Sequence, residues 1–220
     1  MSDIEKERWD ARYREGAGAT EPSAFLISLD PLLPKHGRAL DVAGGRGRHA
    51  IWLARRGLDV TIADVSEVGL ALARDAAEHA GVSVRTVAID LEGQTAPQGP
   101  WDLIVCFHYL HRPFFARVPS LLSPDGLFVF CQPTRRNLER HPRPGAAYLL
   151  EEGELPGLLG GLEVLSYEEG WLEEGRHEAR AVARLPRRPT VEHPPASNRA
   201  PATPDGLLPD LGDGKGEAPR

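Results

Sequence analysis

Three carboxylates and one glycine turn carry the first chemistry in this sequence. Asp41 precedes the run Ala43-Gly-Gly-Arg-Gly47, Asp64 follows 23 residues after Asp41, and Asp90 ends a later apolar run. Glycines at 44, 45 and 47 let the backbone approach a ligand, and the helical stretch from His49 to Arg56 presents unpaired N–H groups at its start. A strand, a glycine turn and a helix in that order make a site for a nucleotide-type cofactor. Two cofactor classes compete for it. Gly45-Arg-Gly47-Arg-His-Ala50 satisfies the dinucleotide pattern G-x-G-x-x-A. Asp64 suits ribose hydroxyls in either class. Asp41, however, sits where a pyrophosphate would meet a carboxylate. It is better placed to accept from backbone N–H groups or to approach a cationic amino-acid group. Asp90 is placed to accept from an adenine amino group, and no clear second βαβ half follows for a nicotinamide.

A second cluster, His108-Tyr109-Leu-His111-Arg112, follows the apolar run Trp101–Phe107. Open α/β sheets bind ligands at the carboxyl ends of their strands, so His108, Tyr109, His111 and Arg112 are the candidates for the reacting centre. A histidine there can remove a proton, and Arg112 can hold an anion. His108 and His111 are three apart with no third ligand fixed, so no metal is expected. No G-x-S-x-G elbow, C-x-x-C pair or Asn-Pro-Pro-Tyr motif occurs.

The elements that position these residues follow from apolar patterning. Residues 3–15 read as a charged helix in which Trp9 and Tyr13 share a face. Pro22 opens a second helix carrying Phe25, Leu26, Leu29, Leu32 and Leu33. Strands are expected over 38–43, 58–63, 82–89, 101–107 and 127–131. Helices are expected over 47–56, from Ser66 to about 80, and over 113–122. Near-continuous apolar strands joined through helices predict a parallel sheet covered on both faces. Residues 133–144 read as a polar loop over the site, 151–159 as a short helix, and 162–167 with 177–185 as an antiparallel hairpin. The proline-rich stretch 186–220 has no aromatic residue and reads as a disordered tail. The division is therefore a helical cap over 1–37, a core over 38–185, and the tail.

Bulk properties narrow the function. A net charge of -6 over 220 residues argues against a duplex nucleic-acid partner. No apolar stretch reaches 18 residues, so no membrane span is expected, and the charged N-terminus lacks the apolar core of a signal peptide. The expectation is a cytoplasmic monomer or homodimer acting on a small molecule. Cys106 and Cys131 lie inside apolar runs and read as buried thiols close together in a sheet.

Taken in order, these motifs resemble the class I S-adenosylmethionine-dependent methyltransferases, and more narrowly the tellurite-resistance-type and small-molecule branch. Leu40–Arg48 resembles the family's first motif, an acid followed by G-x-G-x-G, with Ala43 at the first glycine and Gly45 and Gly47 at the next two. Val60–Ser66 resembles the second motif, with Asp64 as ribose acid followed by Val65. Ala88–Leu91 resembles the third, with Asp90 and Leu91 at the adenine. The resemblance covers roughly residues 5–185. It implies a Rossmann-like, mostly parallel seven-stranded sheet with a C-terminal antiparallel hairpin. It also implies S-adenosyl-L-methionine as cofactor, and methyl transfer by direct displacement to a small-molecule or soft oxyanion acceptor. Trp9 and Tyr13 would then shield the adenosine or the sulfonium. The rival readings are a NAD-dependent oxidoreductase and a non-catalytic cofactor-binding member of the same fold.

Overall fold

The computed structural model describes residues 3–187 apart from residue 174; the expected tail falls almost wholly outside the described residues. Seven strands form one sheet: β1 (Arg38–Val42), β2 (Asp59–Asp64), β3 (Arg85–Ala88), β4 (Trp101–Phe107), β5 (Leu122–Pro133), β6 (Glu163–Trp171) and β7 (His177–Arg184). Their spatial order is β3-β2-β1-β4-β5-β7-β6. β1 to β5 pair in parallel, whereas β7 runs antiparallel to both β5 and β6. The helices are α1 (Asp3–Arg14), α2 (Ala24–Ser28), α3 (Arg48–Arg55), α4 (Glu67–His79), α5 (Arg112–Phe115), α6 (Val118–Leu121) and α7 (Leu155–Leu158). The expected mixed seven-stranded architecture with a terminal hairpin is present. Among the described residues no helix is long and apolar enough to cross a membrane.

Alternation along the strands splits the core in two. Leu40, Val42, Ile104, Cys106, Phe128 and Phe130 pack on one face of the sheet. Ala39, Ile62, Leu103, Val105, Val129 and Cys131 pack on the other. The two cysteines therefore occupy adjacent strands but opposite faces. Cys106 pairs in register with Phe130, and Cys131 with Phe107, and that one-residue offset turns their side chains apart. Their expected proximity is corrected accordingly.

Several element bounds also differ from the patterning. β3 is half the expected length, because 82–84 leave the sheet before pairing begins at Arg85. The helix expected from Pro22 to Leu33 shortens to α2, and 29–33 continue as turns. The helix expected over 113–122 divides into α5 and α6, each with a proline in its first turn. The turn at Pro124-Asp-Gly126 lies inside a bulged β5, whose register against β4 jumps between Trp101 and Leu103.

The glycine turn is held by close packing. Gly47 has a left-handed φ of 75° and caps α3, and a Cβ there would lie 2.9 Å from Ala73 Cβ and 3.0 Å from Ile62 Cδ1. We expect Gly47→Ala to destabilise the chain by about 1–3 kcal/mol, read from urea unfolding at constant m. An unchanged midpoint would show that this turn is not tightly specified.

Candidate functional site

The carboxyl ends of β1, β2 and β4 border a cavity of about 310 Å³. Asp41 lies beneath the glycine turn, and a Cβ on Gly44 would come within 2.6 Å of its carboxylate. Its Oδ2 is buried without a hydrogen-bond partner among the described residues. Burial drives its carboxyl up to about 7; the Ala50 N–H and the nearby Arg48 oppose that rise, and Asp64 adds to it. Ala43 takes the left-handed conformation with φ 53°, so the turn keeps its shape without glycine at the first motif position.

Asp64 ties three segments together. Its Oδ2 accepts from Gly45 N–H at 2.8 Å and its Oδ1 from Ser66 N–H at 2.8 Å. Burial raises its carboxyl, and these backbone donors work against that rise. Ser66 caps α4 by accepting from Gly69 N–H at 3.0 Å, and donates to Asp10 Oδ1 at 2.5 Å. Asp10 also accepts from Val68 N–H and from Lys6 Nζ. This buried acid, which patterning did not single out, pins α1 to α4. Tyr13 is thereby set against Gly45 and Gly69, stacked at 5.8 Å on Trp9. Burial, then the Asp64 charge, pushes the Tyr13 hydroxyl above its ordinary range.

The rest of the cavity is lined from β4 and α3 and by Arg176, with β5 and β7 supplying the contacts behind His108. His108 ends β4 with a positive φ of 59°, its N–H bonded to the Cys131 carbonyl at 2.9 Å. A strained non-glycine residue at a strand end is a pointer to function. Its Nε2 lies 3.0 Å from Glu178 Oε1, and the Cys131 thiol donates to Glu178 Oε2 at 3.0 Å. Glu178 is only 3% exposed. Burial works against its charge, but His108, then Cys131 and Arg180, outweigh it and hold the carboxyl at about 2. Beside this group, the His49 ring lies 4.3 Å from that of Phe107, tilted by 42°, and its Nε2 is buried with no hydrogen-bond partner among the described residues. Burial, then Arg48 and His108, keeps His49 neutral down to about 2. His108, Cys131 and Glu178 offer donor atoms within 4.8 Å of one another, the spacing of a metal-ligand group. Arg180 and Arg176 already face Glu178, and burial keeps the Cys131 thiol protonated, so the trio is a hydrogen-bonded group with positive charge around it.

Of the residues singled out from sequence, Trp9, Tyr13, Asp41, Ala43, Asp64, Val65, Leu91, His108 and Tyr109 line the cavity. Gly45 and Gly47 shape the turn from behind it. Asp90 lies off the lining, and its Oδ1 accepts from Glu92 N–H at 2.9 Å. The structure gives the surroundings of three further acceptor-side candidates. Arg112 is clamped on Glu154, with Nη2 at 2.8 Å, so it fastens α5 to the segment before α7. His111 stands at the N-cap position of α5, makes no side-chain capping bond, and is not among the residues that line the cavity. Tyr109 lines the cavity, buried with the charges of Glu92, Asp90 and Asp64 acting on its hydroxyl.

The stretch 133–144 is also no free flap. Thr134 Oγ1 meets His177 Nδ1 at 2.7 Å, buried Asn137 accepts from His177 N–H, and Arg140 stacks on Trp171 at 3.7 Å. Arg135 and Arg136 pair with Glu151 and Glu152. Patterning missed Arg12, Arg46, Arg48, His49 and Arg176 in the lining. Arg48 and His49 were findable, because the first turn of a helix after a glycine turn faces the same ligand. Arg176 lies in the hairpin turn and carries no local signal.

The raised Asp41 carboxyl makes stability depend on pH. An acid whose folded value lies above its unfolded one loses stability as pH rises between the two, here from about 4 to about 7. We therefore expect the stability of Asp41→Asn relative to wild type to increase across that window in urea melts. A constant difference would mean that Asp41 is not a buried, unpaired acid.

Comparison with known proteins bears on this geometry. Residues 39–126 match the family model described as a methyltransferase domain. The glycine/sarcosine N-methyltransferase of Halorhodospira halochloris is 31% identical over 138 residues, taking in 57% of this chain and 50% of that one. The enzyme of the same name from Parasynechococcus marenigrum (strain WH8102) is 30% identical over 161 residues, with 68% of this chain and 55% of that one. The chain thus spans about half the length of the curated relatives it matches. TehB from Haemophilus influenzae superposes with a TM-score of 0.65 at 19% identity, covering 80% of this chain and 66% of that one. A TehB-like SAM-dependent methyltransferase from Corynebacterium glutamicum gives 0.58 at 23% identity, with 83% and 98% covered. The chain therefore has the class I S-adenosylmethionine-dependent methyltransferase fold, with its methyltransferase-domain match over the strands and turns that build the cavity.

Proposed function

We propose that this chain transfers a methyl group from S-adenosylmethionine to a small-molecule acceptor by direct displacement. The observation that carries this reading is the buried, unpartnered Asp41 Oδ2 under a glycine turn at the cavity wall. That buried carboxylate oxygen lacks a donor, and the cofactor's amino group would supply one. The rest of the lining suits the same group. Asp64 would take the ribose hydroxyls on its remaining lone pairs, Ile89, Leu91 and Tyr109 would border the base, and Trp9 with Tyr13 would cover it from α1. Residues 1–37 then act as a cap on the core 38–185. When bound, the cofactor supplies an electrophilic methyl carbon on a positively charged sulfur.

This chain's own contribution is alignment and exclusion of water. Arg48 and Arg176 line the cavity near Glu178 and favour an acceptor that carries negative charge, such as a carboxylate or a soft oxyanion. They take the part first given to Arg112. The dinucleotide reading loses ground for a structural reason: the β6–β7 hairpin fills the sheet edge beside β5, where a second βαβ half would continue the parallel order.

Calorimetry with the purified chain tests the reading. We expect S-adenosylmethionine and S-adenosylhomocysteine to bind at micromolar strength, NAD not to bind, and Asp64→Ala to weaken adenosyl binding at least about tenfold. Binding of NAD alone would overturn the proposal. Adenosyl binding with no turnover on any amine, thiol or oxyanion acceptor would favour the non-catalytic reading.

A further inference from the structure

Resting on that reading, the acceptor end of the cavity specifies the kind of nucleophile. His108 is 32% exposed at its side chain and lines the cavity, yet both hydrogen-bonding contacts of its ring, to Glu178 and Cys131, run through Nε2. Nδ1 makes no hydrogen bond to a described residue. A carboxylate on one ring nitrogen fixes the tautomer, leaves the other nitrogen basic, and stabilises the imidazolium that forms when it takes a proton. Here the carboxylate is buried, and its second oxygen is held by the Cys131 thiol and the Arg180 guanidinium.

We propose that Glu178 and His108 form a carboxylate–imidazole pair that removes the acceptor's proton at His108 Nδ1, so that the acceptor is a protic nitrogen, oxygen or sulfur nucleophile. As the acceptor atom bonds to the methyl carbon, the carbon–sulfur bond breaks and the sulfur keeps its electron pair. The acceptor's X–H proton passes to His108 and from there to solvent. His108 is the catalytic residue of the pair, and Glu178 is a positioning residue that acts through it.

The groups facing the imidazole come from three elements and one turn. β5 gives Cys131 and β7 gives Glu178 and Arg180. The turn before β7 gives Arg176, and α3 gives neutral His49 with Arg48 beside it. Arg48, Arg176 and Arg180 disfavour a charged imidazole, and Glu178 is the carboxylate that offsets them. Changing it to an uncharged isostere must therefore move the protonation of His108 to lower pH.

Nitrogen-15 NMR of histidine-labelled full chain tests this, with His108→Gln assigning the signal and S-adenosylhomocysteine binding measured on the same samples. We expect neutral His108 to carry its proton on Nε2. We also expect its titration midpoint to fall by about one pH unit in Glu178→Gln and to return at least in part in Glu178→Asp. A neutral tautomer protonated on Nδ1, or a midpoint unmoved in Glu178→Gln, would overturn the pair. The tautomer is read on wild type and stands even if the Gln variant does not fold. S-adenosylhomocysteine binding with the wrong tautomer would sink the pair alone. The right tautomer without S-adenosylhomocysteine binding would sink the methyltransferase reading and leave the pair in place.

Discussion

The cavity depends first on how Asp64 is bonded. One buried carboxylate accepts from Gly45 in the glycine turn and from Ser66 at the start of α4. A buried acid is costly unless its charge is hydrogen-bonded, and here the backbone of two different segments supplies the donors. Ser66 then passes the constraint on to Asp10, and Asp10 fixes α1. Through this chain of bonds a strand end sets the position of Trp9 and Tyr13. The polar, charged α1 is thereby held by one buried acid rather than by an apolar stripe of its own.

The two ends of the cavity differ in how they treat charge. At the glycine turn, Asp41 is buried with its Oδ2 unpartnered among the described residues, and its carboxyl is pushed up. At the hairpin end, Glu178 is buried with partners on both oxygens, and its carboxyl is pushed down. The same burial acts on both acids; the partners decide the sign. An unsatisfied acid suits a ligand that brings a donor. A satisfied acid suits a fixed role toward its neighbour, here the imidazole of His108.

Much of this was legible in the residues, and the rest was hidden for identifiable reasons. The parallel strands around Asp41, Asp64 and Phe107 follow from apolar runs ended by acids and a glycine turn, and β4 is found over the residues that its pattern indicates. Local pattern fails where tertiary contact decides. Arg112 looked like a site residue because it follows a strand end, but Glu154, 42 residues later, claims it. Glu178 carries no signal of its own in the 177–185 strand pattern, and it is buried because β7 lies between β5 and β6. Asp10 and Arg176 are polar residues in polar surroundings, and only the fold brings Asp10 to Ser66 and Arg176 to the cavity. The offset of Cys106 and Cys131 follows from strand register, which no single strand encodes.

The central claim is that the space beside Asp41 holds the amino-acid end of the adenosyl cofactor. A crystal structure of the chain with S-adenosylhomocysteine tests it most directly. The account predicts the ligand's amino nitrogen at about 3 Å from Asp41 Oδ2, with the adenosine toward Tyr109 and the sulfur facing His108. A ligand bound elsewhere, or bound here with Asp41 Oδ2 still unpaired, would contradict it.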